Sequence, residues 1–126
     1  LEHILHHITD IGLHYTFPIK WGLSNSSQLF TAAQQAISLG YYDVKQYSDI
    51  RDLGIRNRVI LQEYAYWIIY TAWDLRENYG PDESEWYIHS SDQLLSKLPD
   101  SYTLFKQTIP SVISCPTIQT LNLFLE

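Results

Sequence analysis

Four of the five histidines fall within the first fourteen residues, at His3, His6, His7 and His14. On an α-helix each residue turns by about 100°. His3 and His7 then stand about 40° apart, with His14 between them and Asp10 beside the same stripe. Neutral imidazoles on adjacent turns converge on a point and can hold one transition metal. The spacing H-x-x-x-H is weak by itself, because a solvated polar stripe on an amphipathic helix produces it more often. His14 reads as a surface or helix-end residue, and His89 stands alone.

The second group that could do chemistry is Glu63. It sits inside Arg58-Val59-Ile60-Leu61-Gln62-Glu63-Tyr64-Ala65-Tyr66-Trp67-Ile68-Ile69-Tyr70, which is apolar almost all round. A helix of that kind is buried. A carboxylate buried within it must be paired or coordinated, or its pKa rises until it is neutral. Arg56, a tyrosine hydroxyl and a metal on the histidine helix are the available partners. Two histidines and one glutamate make the ligand set of several catalytic zinc sites. The expected metal ligands are therefore His3, His7 and Glu63, with Tyr66 as an additional site candidate and zinc as the cofactor.

These residues resemble a family pattern. Glu2-His3-Ile4-Leu5-His6-His7, Gly12, Pro18 and the later Glu63-Tyr64-Ala65-Tyr66-Trp67 resemble the zincin-type metallopeptidase layout. There, one helix carries H-E-x-x-H and a later helix supplies a Glu ligand, often followed by an aromatic residue. Glu85-Trp86, the short helices and the Pro110 region are similar to uncharacterised bacterial and marine zincin-related proteins. The resemblance implies zinc binding and a peptide substrate. It also has departures. With the motif set on His3 and His7, Ile4 stands where the general-base glutamate belongs. In the register ending at His6, Glu2 and His3 are in swapped order. Glu2 as a substitute base points roughly 100° away from His3. The resemblance thus implies a catalytically degenerate metallopeptidase, with His6 as a ligand in the shifted register.

The elements that must position these groups follow from periodicity. Ile4, Leu5, Ile8, Ile11 and Tyr15 predict a first helix from Glu2 to about Tyr15, ended by Pro18. Asn25 or Ser26 is the expected N-cap of a second helix that runs to about Leu39, with Gly40 after its end. Residues 41–52 read as mixed and irregular, with a short turn of helix as the alternative. The strongest helical signal spans Ile55 to Tyr79, stopped by Gly80-Pro81. Ser84 to His89 reads as extended, and Asp82-Glu83-Ser84-Glu85 as a solvated loop. Ser90 or Ser91 caps a short helix ending at Leu98-Pro99, and Asp100 or Ser101 caps another that lasts to about Thr108. The tail from Ser114 reads as loop and extended chain.

The expected fold is all-α or nearly so: a single small helical domain over residues 1–126 with a long buried central helix. At 126 residues the chain can hold a core without covalent staples. It contains no Met, so a fragment or processed part of a longer protein is expected. A net charge of −6 argues against nucleic-acid partners. No apolar run is long enough to span a bilayer. One cysteine, Cys115, excludes an internal disulfide. A soluble chain is expected, and a secreted or periplasmic location stays open. Asn25-Ser26-Ser27 fits the N-glycosylation pattern, which is frequent by chance. Two further readings compete with the metal site. One is a non-enzymatic helical interaction module with a protein partner and no metal. The other is pH sensing by the histidine cluster.

Overall fold

A computed structural model describes residues 1–81 and 83–123. Among them the fold is all-α, with no strand. The first stretch is a composite: α1 (Glu2–His7), a π-helical turn (Ile8–Leu13) and α2 (His14–Thr16). Phe17 leaves helical geometry, as is favoured in a residue before proline. The chain then re-enters helix at once as α3 (Pro18–Trp21), with Pro18 in the first turn where its missing N–H is not needed.

The helix α4 (Gln28–Ser38) is capped by Ser27, whose hydroxyl accepts from the Phe30 N–H. The cap thus lies beyond the expected Asn25 or Ser26. At the far end Gly40 takes φ +82°. Its N–H donates to the Ile37 carbonyl and that of Tyr41 to Ala36, which closes the helix as a Schellman motif. Leu29, Ala32, Ala33 and Ala36 make its buried face.

The central helix α5 (Leu53–Ala72) starts at Asp52, whose carboxylate accepts from the Ile55 N–H. From Ile60 to Thr71 only Gln62 and Glu63 escape full burial. It packs against α1, the π-turn, α4, and α7 (Ser91–Lys97) and α8 (Pro99–Val112). The expected helix to Tyr79 is broken. Trp73 ends α5, Asp74 turns left-handed at φ +55°, and the chain resumes as α6 (Arg76–Tyr79). Asp74 belongs to the residue types that tolerate this conformation. Its carboxylate accepts from the Ser91 N–H and hydroxyl, both at 2.7 Å, so the break ties α5 to the start of α7.

Four of the core aromatics have their polar groups paired. Trp21 Nε1 donates to Thr108, Trp86 Nε1 to Thr71, and Tyr42 to the Ile60 carbonyl, while Tyr64 shares a hydrogen with Ser101. Pro110 lies inside α8, which continues to Val112 instead of stopping near Thr108. Pro110 has no N–H to donate, while beyond it the Ile113 N–H still donates to the Ile109 carbonyl. The tail also departs from expectation, since Ile118–Leu123 forms α9 with Leu121 buried. The last residues of that expected loop, 124–126, lie outside the described residues.

Residues 83–89 run without helix, and Trp86 makes an isolated antiparallel bridge to Tyr42. Arg76 holds this segment from below. Its guanidinium donates to the carbonyls of Trp86, Ile88 and Glu83 and lies 5.2 Å from the Trp67 ring centroid.

Candidate metal centre

The composite first stretch packs on α5, which brings His6 against Glu63. His6 Nε2 lies 3.3 Å from a Glu63 oxygen and 3.9 Å from Glu2, one helical turn earlier. Among the described residues, one atom each of Glu2, His6 and Glu63 falls within 4.8 Å of the others. Donors around a tetrahedral zinc at about 2.1 Å lie about 3.4 Å from one another. The His6–Glu63 separation of 3.3 Å is close to that value, and the His6–Glu2 separation of 3.9 Å exceeds it.

The expected ligands separate. His3 and His7 are exposed, while His6 faces inward. Leu5 is the buried anchor of α1, and it sets which side of the helix meets α5. His6 follows Leu5 inward, and the exposed Ile4 occupies the outer side with His3. Of the apolar residues whose spacing predicts this helix, Ile4, Ile11 and Tyr15 are exposed. Tyr66 stands edge-on to His6, with ring centroids 5.9 Å apart. His14 accepts a hydrogen bond at Nδ1 from the Leu23 N–H and so fastens the loop after α3. His89 is exposed, and its N–H donates to Gln93.

Arg56 is not the partner of Glu63. It donates instead to the carbonyls of Ile50 and Ser48, closing the approach to α5. No tyrosine hydroxyl bonds Glu63 among the described residues. His6 is the group that meets it, and the electrostatics reflect this. Burial pushes the His6 imidazole down, but Glu63 first, then Glu2 and Asp10, outweigh it and leave its pKa raised. His6 Nε2 and one Asp10 oxygen are fully buried without a hydrogen-bond partner. The imidazole nitrogen is therefore aimed at two carboxylates and needs a positive species between them: its own proton, or a metal ion.

A second carboxylate was not legible in the sequence. Glu85 belongs to the stretch read as a solvated loop, yet it is buried. Tyr47 donates to its Oε2 at 2.8 Å, Gln46 donates to the same oxygen, and Trp67 Nε1 donates to Oε1 at 3.2 Å. Burial pushes its carboxyl up to about 7, with Tyr47 and Trp67 opposing and Glu83 and Glu63 adding to the rise. It lines a cleft of about 440 Å³ with Asp43, Lys45, Gln46, Glu83 and Ser84. Its partners lie far away in the chain, so no local spacing announces it. Asp82, the first residue of that acidic stretch, lies outside the described residues.

No protein-family model matches this chain, and neither a curated protein nor a solved structure matches it. Among the described residues no helix is long and apolar enough to cross a membrane.

Proposed function

We propose that this helical domain binds one divalent metal ion, zinc by preference, through Glu2, His6 and Glu63. The observation that carries the reading is the approach of three donor atoms from two helices to within 4.8 Å of one another. A ligand set of one imidazole and two carboxylates suits zinc and other borderline divalent ions. The relationship to zincins belongs to the same proposal, as a degenerate member without peptidase chemistry. With Glu2 and His6 as ligands, the motif's base position falls on His3, whose side chain is exposed, in place of the glutamate that accepts a proton from a metal-bound water.

The test is the metal content of protein purified without added metal, measured for the native chain and for His6→Ala. About one equivalent in the first and a small fraction of that in the second is the expected result. Negligible and equal content in both ends the reading.

One observation favours a second reading, a helical interaction module without metal. Ile4, Ile11, Tyr15 and Ile19, all in the first nineteen residues, are exposed. Exposed apolar side chains gathered in one stretch suit a protein partner. This reading expects a melting temperature indifferent to chelator, whereas a bound ion adds stability set by its concentration over its dissociation constant.

A further inference from the structure

The turn that follows His6 is π-helical, from Ile8 to Leu13. Such turns are rare and concentrate at functional sites. Its effect here is geometric. In a continuous α-helix Asp10 stands one turn beyond His6 but is rotated from it by about 40°. A π-turn holds more residues per turn, so each rotates less. Asp10 is thereby brought back toward the line of Glu2 and His6.

Two properties of Asp10 point to an absent partner. One of its carboxylate oxygens is fully buried and has no hydrogen-bond partner. Its charge also acts on the His6 imidazole, alongside those of Glu63 and Glu2. The neighbouring Thr9 is fully buried, and its hydroxyl is likewise unpartnered. Buried polar groups are normally satisfied, and a turn that leaves two of them open has a reason to exist. Asp10 lies outside the group of three whose donor atoms already converge. Its reach to an ion therefore runs through a water bound to that ion, the usual place of an outer carboxylate.

Resting on the metal reading above, we infer that Asp10 is the outer-sphere carboxylate of the Glu2–His6–Glu63 centre, presented by the π-turn to accept a hydrogen bond from a water on the ion. It is a positioning residue. Its role is to hold the ion's solvent position open on one side.

The experiment is calorimetric titration of the metal-free full chain with zinc chloride, for the native protein, Asp10→Asn and Glu63→Gln, with thermal melting of each metal-free form. Asp10→Asn keeps the shape of the side chain. It is expected to weaken zinc binding by about tenfold or more, the usual effect of removing an outer-shell partner. The metal-free melting temperature should change little: the buried oxygen loses an unpaired charge, while His6 loses part of the charge that favours its proton. A purely structural Asp10 gives the reverse pattern, a lower melting temperature and an unchanged dissociation constant, and overturns the inference. Zinc binding by the native chain that Glu63→Gln weakens and Asp10→Asn does not removes the inference alone. No binding by the native chain removes the metal reading and this inference together.

Discussion

The imidazole Nε2 of His6 lies 3.3 Å from Oε1 of Glu63, which joins the first helix to the most apolar part of the chain. Without a metal, this contact is an ion pair that depends on the proton of His6. His6→Ala then leaves the largely buried Glu63 carboxylate with no cation nearby. The expected loss is about 1–3 kcal/mol, the usual result of stranding a buried polar group. Urea denaturation of metal-free protein at pH 6 measures it. A loss below about 0.5 kcal/mol would show that the pair behaves like an exposed one.

Acidity should strengthen the metal-free fold across the neutral range. The folded His6 holds its proton more tightly than the unfolded chain does, so its contribution is complete below about 6.5 and fades as pH rises through its raised value. Glu85 acts in the same direction. Its folded carboxyl is held near 7, against 4.5 when free, so the folded state binds the extra proton within that window and loses stability as pH climbs through it. Denaturant midpoints should fall from pH 5 to pH 8. In Glu85→Gln the part of the slope below 7 should flatten, and a slope identical to the native one would remove Glu85 as its source.

Asp74 carries two roles that substitutions can separate. Alanine removes the bonds to Ser91 and also strains the left-handed backbone. Glycine removes only the bonds. Asp74→Ala is expected to cost about 2 kcal/mol, from the lost bonds to Ser91 and about 1 kcal/mol of backbone strain. Asp74→Gly should cost clearly less. Equal losses in thermal or chemical denaturation would mean that the backbone at this corner carries no strain.

Arg76 is the most consequential single side chain away from the centre. Its guanidinium serves three backbone carbonyls and lies beside the Trp67 ring. Arg76→Ala strands those oxygens and opens a cavity beneath the indole. The expected cost is about 3 kcal/mol or more, enough to threaten folding of a domain this small. Arg76→Lys should recover only part of it, because an ammonium cannot reproduce the planar fork. Full recovery would reduce the contribution of Arg76 to charge alone.

The helices were legible because their signals are local. The run from Ile60 to Tyr70 declares a buried helix by composition, and Gly40 declares an end by its backbone freedom. The break at Asp74 was not legible, since its reason is the hydroxyl of Ser91 on another helix. The candidate centre was half legible. Glu63 stood out because a carboxylate in an apolar helix demands a partner. The choice among His3, His6 and His7 depended on which side of α1 turns inward, and Leu5 decides that through packing that no spacing in the first fourteen residues reveals. The burial of Glu85 was not legible, because Gln46, Tyr47 and Trp67 reach it only after folding.

The grip of Arg76 on the carbonyls of Trp86 and Ile88 gives an irregular segment the durability of a helix. The backbone from Glu85 to Ile88 cannot peel away without dragging a guanidinium out of the core. Limited proteolysis should therefore spare this stretch while it trims exposed turns elsewhere, although the chain there forms neither coil of helix nor sheet.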